Sequence, residues 1–243
     1  MKPTVLITGA SRGIGRAIAT LFAKEGFSIV ITCSKSEADL LSLADELENN
    51  YSASILTSVG DIGDYHYVGQ LFKEISARFG GVDILVNNAG ISYVGLLTDM
   101  SIEEWNQIVN TNLTSVFSTC KHAIPYMLQK QAGKIVNISS VWGNVGASCE
   151  VAYSATKGGM NTFTKALAKE LSPSNIQVSA IACGCIDTQM NACFSDEEKA
   201  ALVDEIPAGR FATPEEVAAL VLDLATKHNY LTGQIITLDG GWT

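Results

Sequence analysis

Tyr153 and Lys157 are the pair of residues whose types and spacing point most directly to acid–base chemistry. They lie four positions apart in a segment with a helical pattern, so their side chains share one face of the helix. A free phenol, with a pKa of about 10, is a poor acid at pH 7. A neighbouring ammonium stabilises the phenolate and lowers that pKa, which predicts that Tyr153 acts as a proton donor in carbonyl reduction.

Ser140 adds a hydroxyl group to this pair. It ends a β-strand predicted over residues 134–139 and should therefore lie at the carboxyl edge of a sheet. A hydroxyl group at that edge can hydrogen-bond a substrate oxygen and orient it for attack. Because the spacing of Tyr153 and Lys157 is common in helices, the position of Ser140 is what makes the three residues a candidate catalytic site.

A glycine-rich turn between the first strand and the first helix predicts a dinucleotide site. Gly9 permits a tight turn, Gly13 lets the backbone approach a pyrophosphate, and Gly15 allows the helix to pack closely on the strand. The start of the helix offers free N–H groups and a partial positive charge to phosphates. The other residues of this turn expected at the cofactor are Ser11, Arg12 and Ile14.

The residues near the end of the second strand favour NADP(H) over NAD(H). An NAD site usually places a carboxylate there, on the ribose 2′-hydroxyl, whereas this chain has Ser34 and Lys35. Lys35 and Arg12 could pair with a 2′-phosphate, and Ser34 could donate a hydrogen bond to it. The alternative is that both cations are solvated surface residues. Asp61 and Ile62 follow the third strand, where Asp61 is predicted to meet the adenine edge.

The elements that must position these residues alternate between short apolar strands and longer helices. This pattern predicts one α/β domain over residues 1–243, a doubly wound (Rossmann) fold whose seven-stranded parallel sheet carries helices on both faces. The ligand site is expected beyond the carboxyl ends of the strands. Strands are predicted at 4–8, 27–32, 53–59, 83–87, 134–139, 176–181 and 234–238, and helices at 13–25, 36–50, 64–78, 102–130 with a kink at Pro125, 151–171 and 214–226.

Composition and charge exclude several classes of protein. Lys and Arg number 16 against 25 Asp and Glu, and the net charge of −9 disfavours binding to nucleic acids and anionic membranes. No apolar run approaches the roughly 20 residues of a transmembrane helix, and the amino-terminal run is too short for a signal peptide. The six cysteines fit free thiols in a reducing cytosol, and Cys183, Cys185 and Cys193 lack a second pair of metal ligands. A cytoplasmic protein without a metal site is expected.

Over essentially its whole length the chain resembles the short-chain dehydrogenase/reductase family. The resemblance rests on the glycine turn, on Asn-Asn-Ala-Gly at 87–90, and on Ser140 followed by Tyr153 and Lys157. It implies a proton relay in which Asn112 holds a water that connects Lys157 to solvent. Lys157 could also hold the nicotinamide ribose. The residues implied at the cofactor, besides Tyr153 and Lys157, are Asn88, Ala89, Gly90, Ile186 and Thr188.

One departure from the family is visible after the sixth strand. Where the family often has Pro-Gly, this chain has Cys183 and Gly184, a change expected to have little effect on the chemistry. The resemblance places a substrate lid at about 189–206, and substrate specificity should depend on its sequence.

Within the family the chain most resembles the 3-oxoacyl-acyl-carrier-protein reductases, through residues 206–217, 231–234 and 238–241. This implies NADPH-dependent reduction of a 3-oxoacyl thioester to the 3-hydroxyacyl thioester in fatty acid synthesis. Because an acyl-carrier protein is acidic, docking on this acidic chain would need a local basic patch. Candidates for that patch are Arg78, Lys130, Lys134, Lys165 and Lys169.

Other functions stay open at this point. The substrate could be a coenzyme A thioester such as acetoacetyl-CoA, a hydroxysteroid or another secondary alcohol, and a non-catalytic NADP-binding sensor would keep the same glycine turn. The resemblance also implies a homotetramer, with one interface formed by 214–226 and 234–238 and the other by 105–130 and 151–171. A charged fraction of only 17% agrees with surface buried between subunits.

Overall fold

The computed structural model describes residues 2–191 and 195–243, which form a seven-stranded sheet covered by helices on both faces. The strands are β1 Thr4–Ile7, β2 Ser28–Cys33, β3 Ile55–Val59, β4 Ile84–Asn87, β5 Gly133–Ser140, β6 Ile176–Cys183 and β7 Ile235–Leu238. They are all parallel, in the order β3-β2-β1-β4-β5-β6-β7. This confirms the predicted doubly wound sheet.

The helices connect successive strands and pack against the two faces of the sheet. They are α1 Gly13–Lys24, α2 Glu37–Tyr51, α3 Tyr65–Phe79, α4 Ile102–Val109, α5 Ser115–Lys130, α6 Trp142–Val145, α7 Val151–Leu171, α8 Asp196–Glu205 and α9 Pro214–Thr226. Among the described residues, no helix is long and apolar enough to cross a bilayer.

Two apolar cores hold the sheet between its helices. Neighbouring residues of a strand point to opposite faces, so Val5 and Ile7 of β1 join the core under α1, α2 and α9, while Leu6 joins the core under α3, α5 and α7. All four residues of β1 are buried, as expected for a strand in the middle of a parallel sheet. Each fully buried Ile or Leu contributes about 1.5–3 kcal/mol to stability.

The strand order places the candidate ligand site. The chain moves outward from β1 to β3 and then returns to place β4 on the other side of β1. The loops that follow β1 and β4 therefore lead to helices on opposite faces, and a crevice opens between them at the carboxyl edge. Gly9 and Asn88, which follow β1 and β4 closely, lie at this crevice.

The helix predicted over 102–130 differs from the structure. It is interrupted by a π-helical turn at Asn110–Thr114, between α4 and α5, whereas Pro125 lies inside α5. Pro125 is exposed, so water can satisfy the carbonyl that its missing N–H leaves free. The π-helical turn, which carries Asn112, divides the predicted helix 11 to 15 residues before Pro125, and the kink at Pro125 stays a prediction.

Two helices near the cleft were not predicted. α6 is a single turn, too short to show a helical period. α8 lies within the predicted lid and begins with a capping box formed by Ser195 and Glu198, but none of its residues is buried. A helix without a buried face has no apolar stripe for sequence periodicity to detect. Residues 192–194 of the predicted lid, with Cys193, lie outside the described part of the chain.

Candidate active site

One cleft runs along the carboxyl edge of the sheet and contains both predicted groups of residues. It has a volume of about 790 Å³, within the range of small-molecule sites. At one end lie the glycine turn and Ser34 with Lys35, and at the other lie Tyr153 and Lys157. Apart from Gly15 and Asn112, the predicted cofactor and catalytic residues thus all line one cleft.

The glycine turn is shaped by backbone contacts that a side chain would prevent. Gly9 and Gly13 have φ of +66° and +55°, in the left-handed region that favours glycine. A Cβ on Gly15 would lie 2.4 Å from the Gly9 carbonyl oxygen and 2.6 Å from Nδ2 of Asn88. The turn therefore needs glycine at position 15 to let α1 pack on the loops after β1 and β4, as predicted.

Asn88 and Thr8 lock the loops after β1 and β4 together. The Asn88 side-chain amide donates to the carbonyl oxygens of Thr8 and Gly9, both at 2.9 Å. In return the Thr8 hydroxyl oxygen accepts from the backbone N–H groups of Asn88 and Ala89, both at 3.0 Å. These four hydrogen bonds hold the walls of the crevice at a set separation.

The start of α1 suits an anionic ligand. Its N-cap residue Arg12 makes no side-chain capping bond, and among the described residues of its first turn there is no acid. Free N–H groups and the helix dipole there favour a phosphate. The Arg12 guanidinium donates to the side-chain oxygen of Gln189 at 2.9 Å, so it links the glycine turn to the start of the predicted lid. The turn therefore fits a dinucleotide pyrophosphate.

The far end of the cleft carries the residues predicted at the adenosine. Ser34, Lys35, Asp61 and Ile62 all line it. One carboxylate oxygen of Asp61 accepts from the backbone N–H of Gly63 at 2.8 Å, which fixes the side chain and leaves its second oxygen for another partner. Ile62 is buried beneath this wall.

At the catalytic end, β5 and α7 bring Ser140, Tyr153 and Lys157 together. The Ser140 and Tyr153 hydroxyl groups are hydrogen-bonded to each other, and the Ser140 oxygen also accepts from the backbone N–H of Trp142 at 3.1 Å. Lys157 is buried, its Nζ donates to the Ile138 carbonyl oxygen at 2.7 Å, and it lies 5.5 Å from the centroid of the Tyr153 ring. The predicted hydroxyl, phenol and ammonium thus share one site.

Burial dominates the acid–base properties of this end. It lowers the pKa of Lys157 to about 8, although the nearby Cys183 acts in the opposite direction. It raises the pKa of Tyr153, an effect that the hydrogen bond from Ser140 only partly offsets. For the chain by itself, the prediction that Lys157 lowers the pKa of Tyr153 is therefore wrong. The reason is that desolvation of the buried phenolate is the largest effect on this pKa.

Asn112 is fully buried in the π-helical turn and ties the loop after β4 to α7. Its side chain accepts from the Ile91 N–H and donates to the Ile91 carbonyl oxygen, both at 2.8 Å. Its amide also donates to Thr156 at 3.3 Å. A Cβ on Gly90 would lie 3.4 Å from Asn112 Oδ1 and 3.6 Å from Lys157 Nζ, so the bare glycine keeps the space between them open.

Three residues that support the site were missed by sequence reasoning. Asn161, one turn after Lys157, accepts from Ser139 at 2.6 Å and donates to Asn144 of α6 at 2.9 Å. Gly143 packs α6 directly on α7, since a Cβ there would lie 2.7 Å from the Lys157 carbonyl carbon. The i, i+4 spacing of Lys157 and Asn161 was a signal for a second polar residue on that face.

The loop after β6, which lacks the family's proline, is held by backbone hydrogen bonds. Gly184 donates to the Leu238 carbonyl oxygen at 2.9 Å, and Ala212 donates to that of Cys185 at 3.0 Å. Ile186 is buried and lines the cleft. Thr188 lies against the glycine turn, 3.3 Å from the position that a Cβ on Gly13 would take. Both residues predicted at the nicotinamide amide therefore border the cleft.

The residues proposed as a basic docking patch lie elsewhere. Crossover helices run antiparallel to the strands, so the carboxyl ends of α3, α5 and α7 lie at the amino edge of the sheet. Lys130 pairs there with Asp83 at 2.6 Å, and Lys134 donates to the His228 carbonyl oxygen at 2.8 Å. Within one chain these residues therefore lie away from the cleft, and their role in docking stays a prediction. The members of the patch are Arg78, Lys130, Lys134, Lys165 and Lys169.

Five of the six cysteines lie in the described part of the chain. Cys33, Cys120, Cys149, Cys183 and Cys185 are free thiols. In the described part of the chain, no group of three or more His, Cys, Asp or Glu side chains could hold a metal ion. Burial raises the pKa of Cys183, which lines the catalytic end of the cleft, to about 12.

Comparison with known proteins places this fold and site in a family. A family model described as short chain dehydrogenase matches residues 3–199. The 3-oxoacyl-acyl-carrier-protein reductase FabG of Aquifex aeolicus is 41% identical over 237 residues, which cover 97% of this chain and 95% of the relative. The oxidoreductase YmfI of Bacillus subtilis, described as uncharacterized, is 37% identical over 243 residues, 100% of this chain and 99% of the relative. The chain therefore belongs to the short-chain dehydrogenase family and is an oxidoreductase of that family.

One solved structure and a further sequence relative agree with this assignment. The crystal structure of YwfH, described as an NADPH dependent reductase involved in bacilysin biosynthesis, superimposes with a TM-score of 0.94. It is 27% identical in sequence, and the match covers 100% of this chain and 99% of that one. A FabG of Thermotoga maritima, 40% identical over 97% of this chain and 96% of its own length, carries the same name as the Aquifex relative.

Proposed function

We propose that the chain catalyses the NADPH-dependent reduction of a 3-oxoacyl thioester to the 3-hydroxyacyl thioester in fatty acid synthesis. The observation that carries the proposal is that Ser140, Tyr153 and Lys157 meet at one end of a cleft whose other end is the glycine turn. The FabG names of relatives about 40% identical over nearly the whole chain support the substrate.

The catalytic residues are proposed to act on the substrate oxygen. When bound, NADPH supplies the hydride. The Ser140 hydroxyl orients the carbonyl oxygen, and Tyr153 donates its proton to that oxygen, since the two hydroxyl groups are already hydrogen-bonded. Lys157 restores the proton on Tyr153 and holds the nicotinamide ribose. Asn112 is proposed to position a water next to Lys157, in the space that Gly90 leaves open.

The cofactor is proposed to lie along the glycine turn, in the crevice between the loops after β1 and β4. Asp61 and Ile62 would border the adenine, and Ile186 and Thr188 the nicotinamide amide. The residues proposed to hold the dinucleotide are Gly9, Ser11, Arg12, Gly13, Ile14, Gly15, Ser34, Lys35, Asp61, Ile62, Asn88, Ala89, Gly90, Tyr153, Lys157, Ile186 and Thr188.

Charge supports NADPH over NADH. Arg12 and Lys35 line the adenosine end of the cleft. Among the described residues, the carboxylate that lines this end is Asp61, which follows β3, and none lines it from the end of β2. Guanidinium and ammonium groups bind a 2′-phosphate through charge-assisted hydrogen bonds. We expect the double variant Arg12→Ala/Lys35→Ala to lose at least about tenfold in NADPH affinity relative to NADH. Lys24→Ala, at the other end of α1, is the matched control and should leave the ratio unchanged.

The wider organisation is part of the same proposal. The chain would act as one cytoplasmic domain with a substrate lid at about 189–206, where α8 carries Leu202 into the wall of the cleft. It would assemble as a homotetramer through α9 with β7 and through residues 105–130 with α7. The residues of β7 are only half-buried or exposed in the single chain, which supports an interface there.

A coenzyme A thioester is the second candidate substrate. The basic residues first considered for docking a carrier protein lie at the amino edge, away from the cleft of the same chain. A substrate that needs no protein docking is unaffected by that placement. Both candidates present the same 3-oxoacyl thioester to Ser140 and Tyr153.

The first experiment follows NADPH oxidation, with NADH in parallel, on acetoacetyl thioesters of acyl-carrier protein and of coenzyme A. Fast turnover with NADPH and a higher kcat/KM for the carrier thioester is the expected result. A higher kcat/KM for acetoacetyl-CoA would select the second candidate. Absence of turnover with either thioester would overturn the proposed substrate class, and a preference for NADH would overturn the proposed cofactor.

A further inference from the structure

Glu150 is a carboxylate in the catalytic end of the cleft that the proposed reaction does not use. It is the N-cap residue of α7, the helix that carries Tyr153 and Lys157. Because α7 runs antiparallel to the strands, its amino end projects beyond the carboxyl edge of the sheet, toward the mouth of the cleft. Glu150 lines the same cavity as Tyr153, about one helical turn away.

The Glu150 carboxylate has acceptor capacity to spare. Among the described residues it makes no capping bond to α7, and it receives a hydrogen bond from the side chain of Trp142 instead. A carboxylate has about four acceptor sites, so one indole N–H leaves most of them free. The described ion pairs do not include Glu150. Among the described residues that line this end, the one cation is Lys157, and it donates to the Ile138 carbonyl oxygen.

The surroundings of Glu150 form a wall that a substrate must pass. Trp142 packs on Trp242 with ring centroids 4.9 Å apart, and both line the cavity. The other titratable groups that feel the Glu150 charge are Tyr153 and Cys185, and it raises the pKa of each. Glu150 is half-buried, and burial raises its own pKa while the Trp142 bond lowers it. A negative group placed here would therefore meet weakly screened repulsion.

We propose that Glu150 determines specificity by accepting a hydrogen bond from an N–H group in the thiol-derived arm of the substrate and by disfavouring an arm that is negatively charged at that position. The inference rests on the proposed function, since the arm must leave the carbonyl held at Tyr153 toward the mouth of the cleft. The substrates it selects are thioesters of amide-containing thiols. A thioester whose arm carries a carboxylate at that distance is selected against.

Three neutral or charged acetoacetyl thioesters of matched length test the proposal. S-acetoacetyl-N-acetylcysteamine offers an amide N–H, the methyl ester of S-acetoacetyl-3-mercaptopropionate offers no donor, and the free acid carries a negative charge. In the wild-type protein, kcat/KM with NADPH at pH 7.5 should fall in that order. Glu150→Gln removes the charge and should narrow the ratio between the amide and the acid by about five- to tenfold.

A second variant at Glu150 and a control variant at Glu170 complete the test. Glu150→Ser repeats the loss of charge with a smaller side chain, and a thermal melt of each variant shows that it is folded. Glu170→Gln removes an exposed charge near the other end of α7 and should leave the ratio as in the wild type. An unchanged amide-to-acid ratio in folded Glu150→Gln and Glu150→Ser would overturn the role of Glu150 while the proposed function stands.

Binding measurements distinguish a failure of the proposed function from a failure of the proposed role of Glu150. If the wild-type protein oxidises NADPH with none of the thioesters, the proposed function fails. The Kd of each of the same three compounds is then measured from tryptophan fluorescence, to which Trp142 and Trp242 contribute. These Kd values test the proposed role of Glu150 independently of turnover. Tighter binding of the amide than of the acid, lost in Glu150→Gln, would support the specificity role. Equal Kd values in the wild type, or no binding of any compound, would overturn it.

Discussion

The cofactor side and the substrate side of the cleft differ in what holds them in place. The cofactor side consists of the turns after β1, β2 and β4, where backbone groups and glycines make the contacts, as in the four hydrogen bonds that join Thr8 and Gly9 to Asn88 and Ala89. The substrate side consists of α6, the start of α7, residues 185–191 and 195–206, and Trp242. There side chains make the contacts, and α8 has no buried residue.

This difference reflects what each side must recognise. A dinucleotide has one shape, and a backbone cradle continuous with the buried sheet can match it. A substrate varies between members of a family, and exposed side chains can change without disturbing the core. Val94 and Val145, at the rim of the substrate side, are 61% and 62% exposed, whereas the residues of β1 are buried. The comparison predicts that variants on the two sides fail in different ways.

The largest effect is expected at Tyr153, where the two sides meet. Tyr153→Phe removes the proton donor without changing the shape of the ring, and kcat should fall by about a hundred- to ten-thousandfold. NADPH binding, followed by fluorescence, should persist. Tyr67→Phe, which removes a hydroxyl bonded to Ser58 in β3, is the control and should keep its activity. Turnover of Tyr153→Phe at the wild-type rate would contradict the assigned role.

Gly15→Ala tests the backbone cradle. Its Cβ would lie 2.4 Å from the Gly9 carbonyl oxygen, so the turn or α1 must shift. We expect a loss of about 1–3 kcal/mol in the free energy of unfolding, together with weaker NADPH binding. Gly69→Ala is the control, because its Cβ in α3 meets only His122 at 3.4 Å. That variant should gain about 0.5–1 kcal/mol. Wild-type stability and NADPH affinity in Gly15→Ala would contradict a tight cradle.

The buried Lys157 predicts a pH dependence. Its pKa is about 8 in the folded chain against an ordinary 10.5, so its ammonium is lost as pH rises above about 8. If that charge holds the cofactor ribose, kcat/KM for NADPH should fall toward tenfold per pH unit above this value. The contribution of Lys157 to the free energy of unfolding changes with pH in the opposite direction. Between about pH 8 and 10.5 the unfolded state binds more protons, so this group makes the protein more stable as pH rises. A flat kcat/KM profile from pH 7 to 9.5 would contradict the role.

The smallest effect is expected in the lid. Leu202 of α8 lines the cleft but is only half-buried, so Leu202→Ala should change the free energy of unfolding by less than about 0.5 kcal/mol and raise KM for the thioester a few-fold. Leu43→Ala, in the core under α2, should instead cost about 2–5 kcal/mol with KM unchanged in the folded fraction. Equal losses in the free energy of unfolding for Leu202→Ala and Leu43→Ala would contradict the view that the substrate side is less tightly packed than the core.

Much of the fold and site followed from local patterns. The helices predicted at 151–171 and 214–226 have those bounds in the structure, and the strand bounds differ by three residues or fewer. The convergence of Ser140, Tyr153 and the glycine turn on one cleft was also predicted, because every strand of a parallel sheet delivers its following loop to the same edge. α6 and α8 were missed because neither has a repeating apolar face.

The sequence by itself determined which residues carry the chemistry and which edge of the sheet they reach, since both follow from residue type, period and chain direction. Only the tertiary structure decided how those groups behave. Burial, which depends on every element packed around a side chain, raises the pKa of Tyr153 and lowers that of Lys157. The placement of the basic residues at the amino edge depends likewise on contacts between elements distant in the chain, as in the pairing of Lys130 with Asp83.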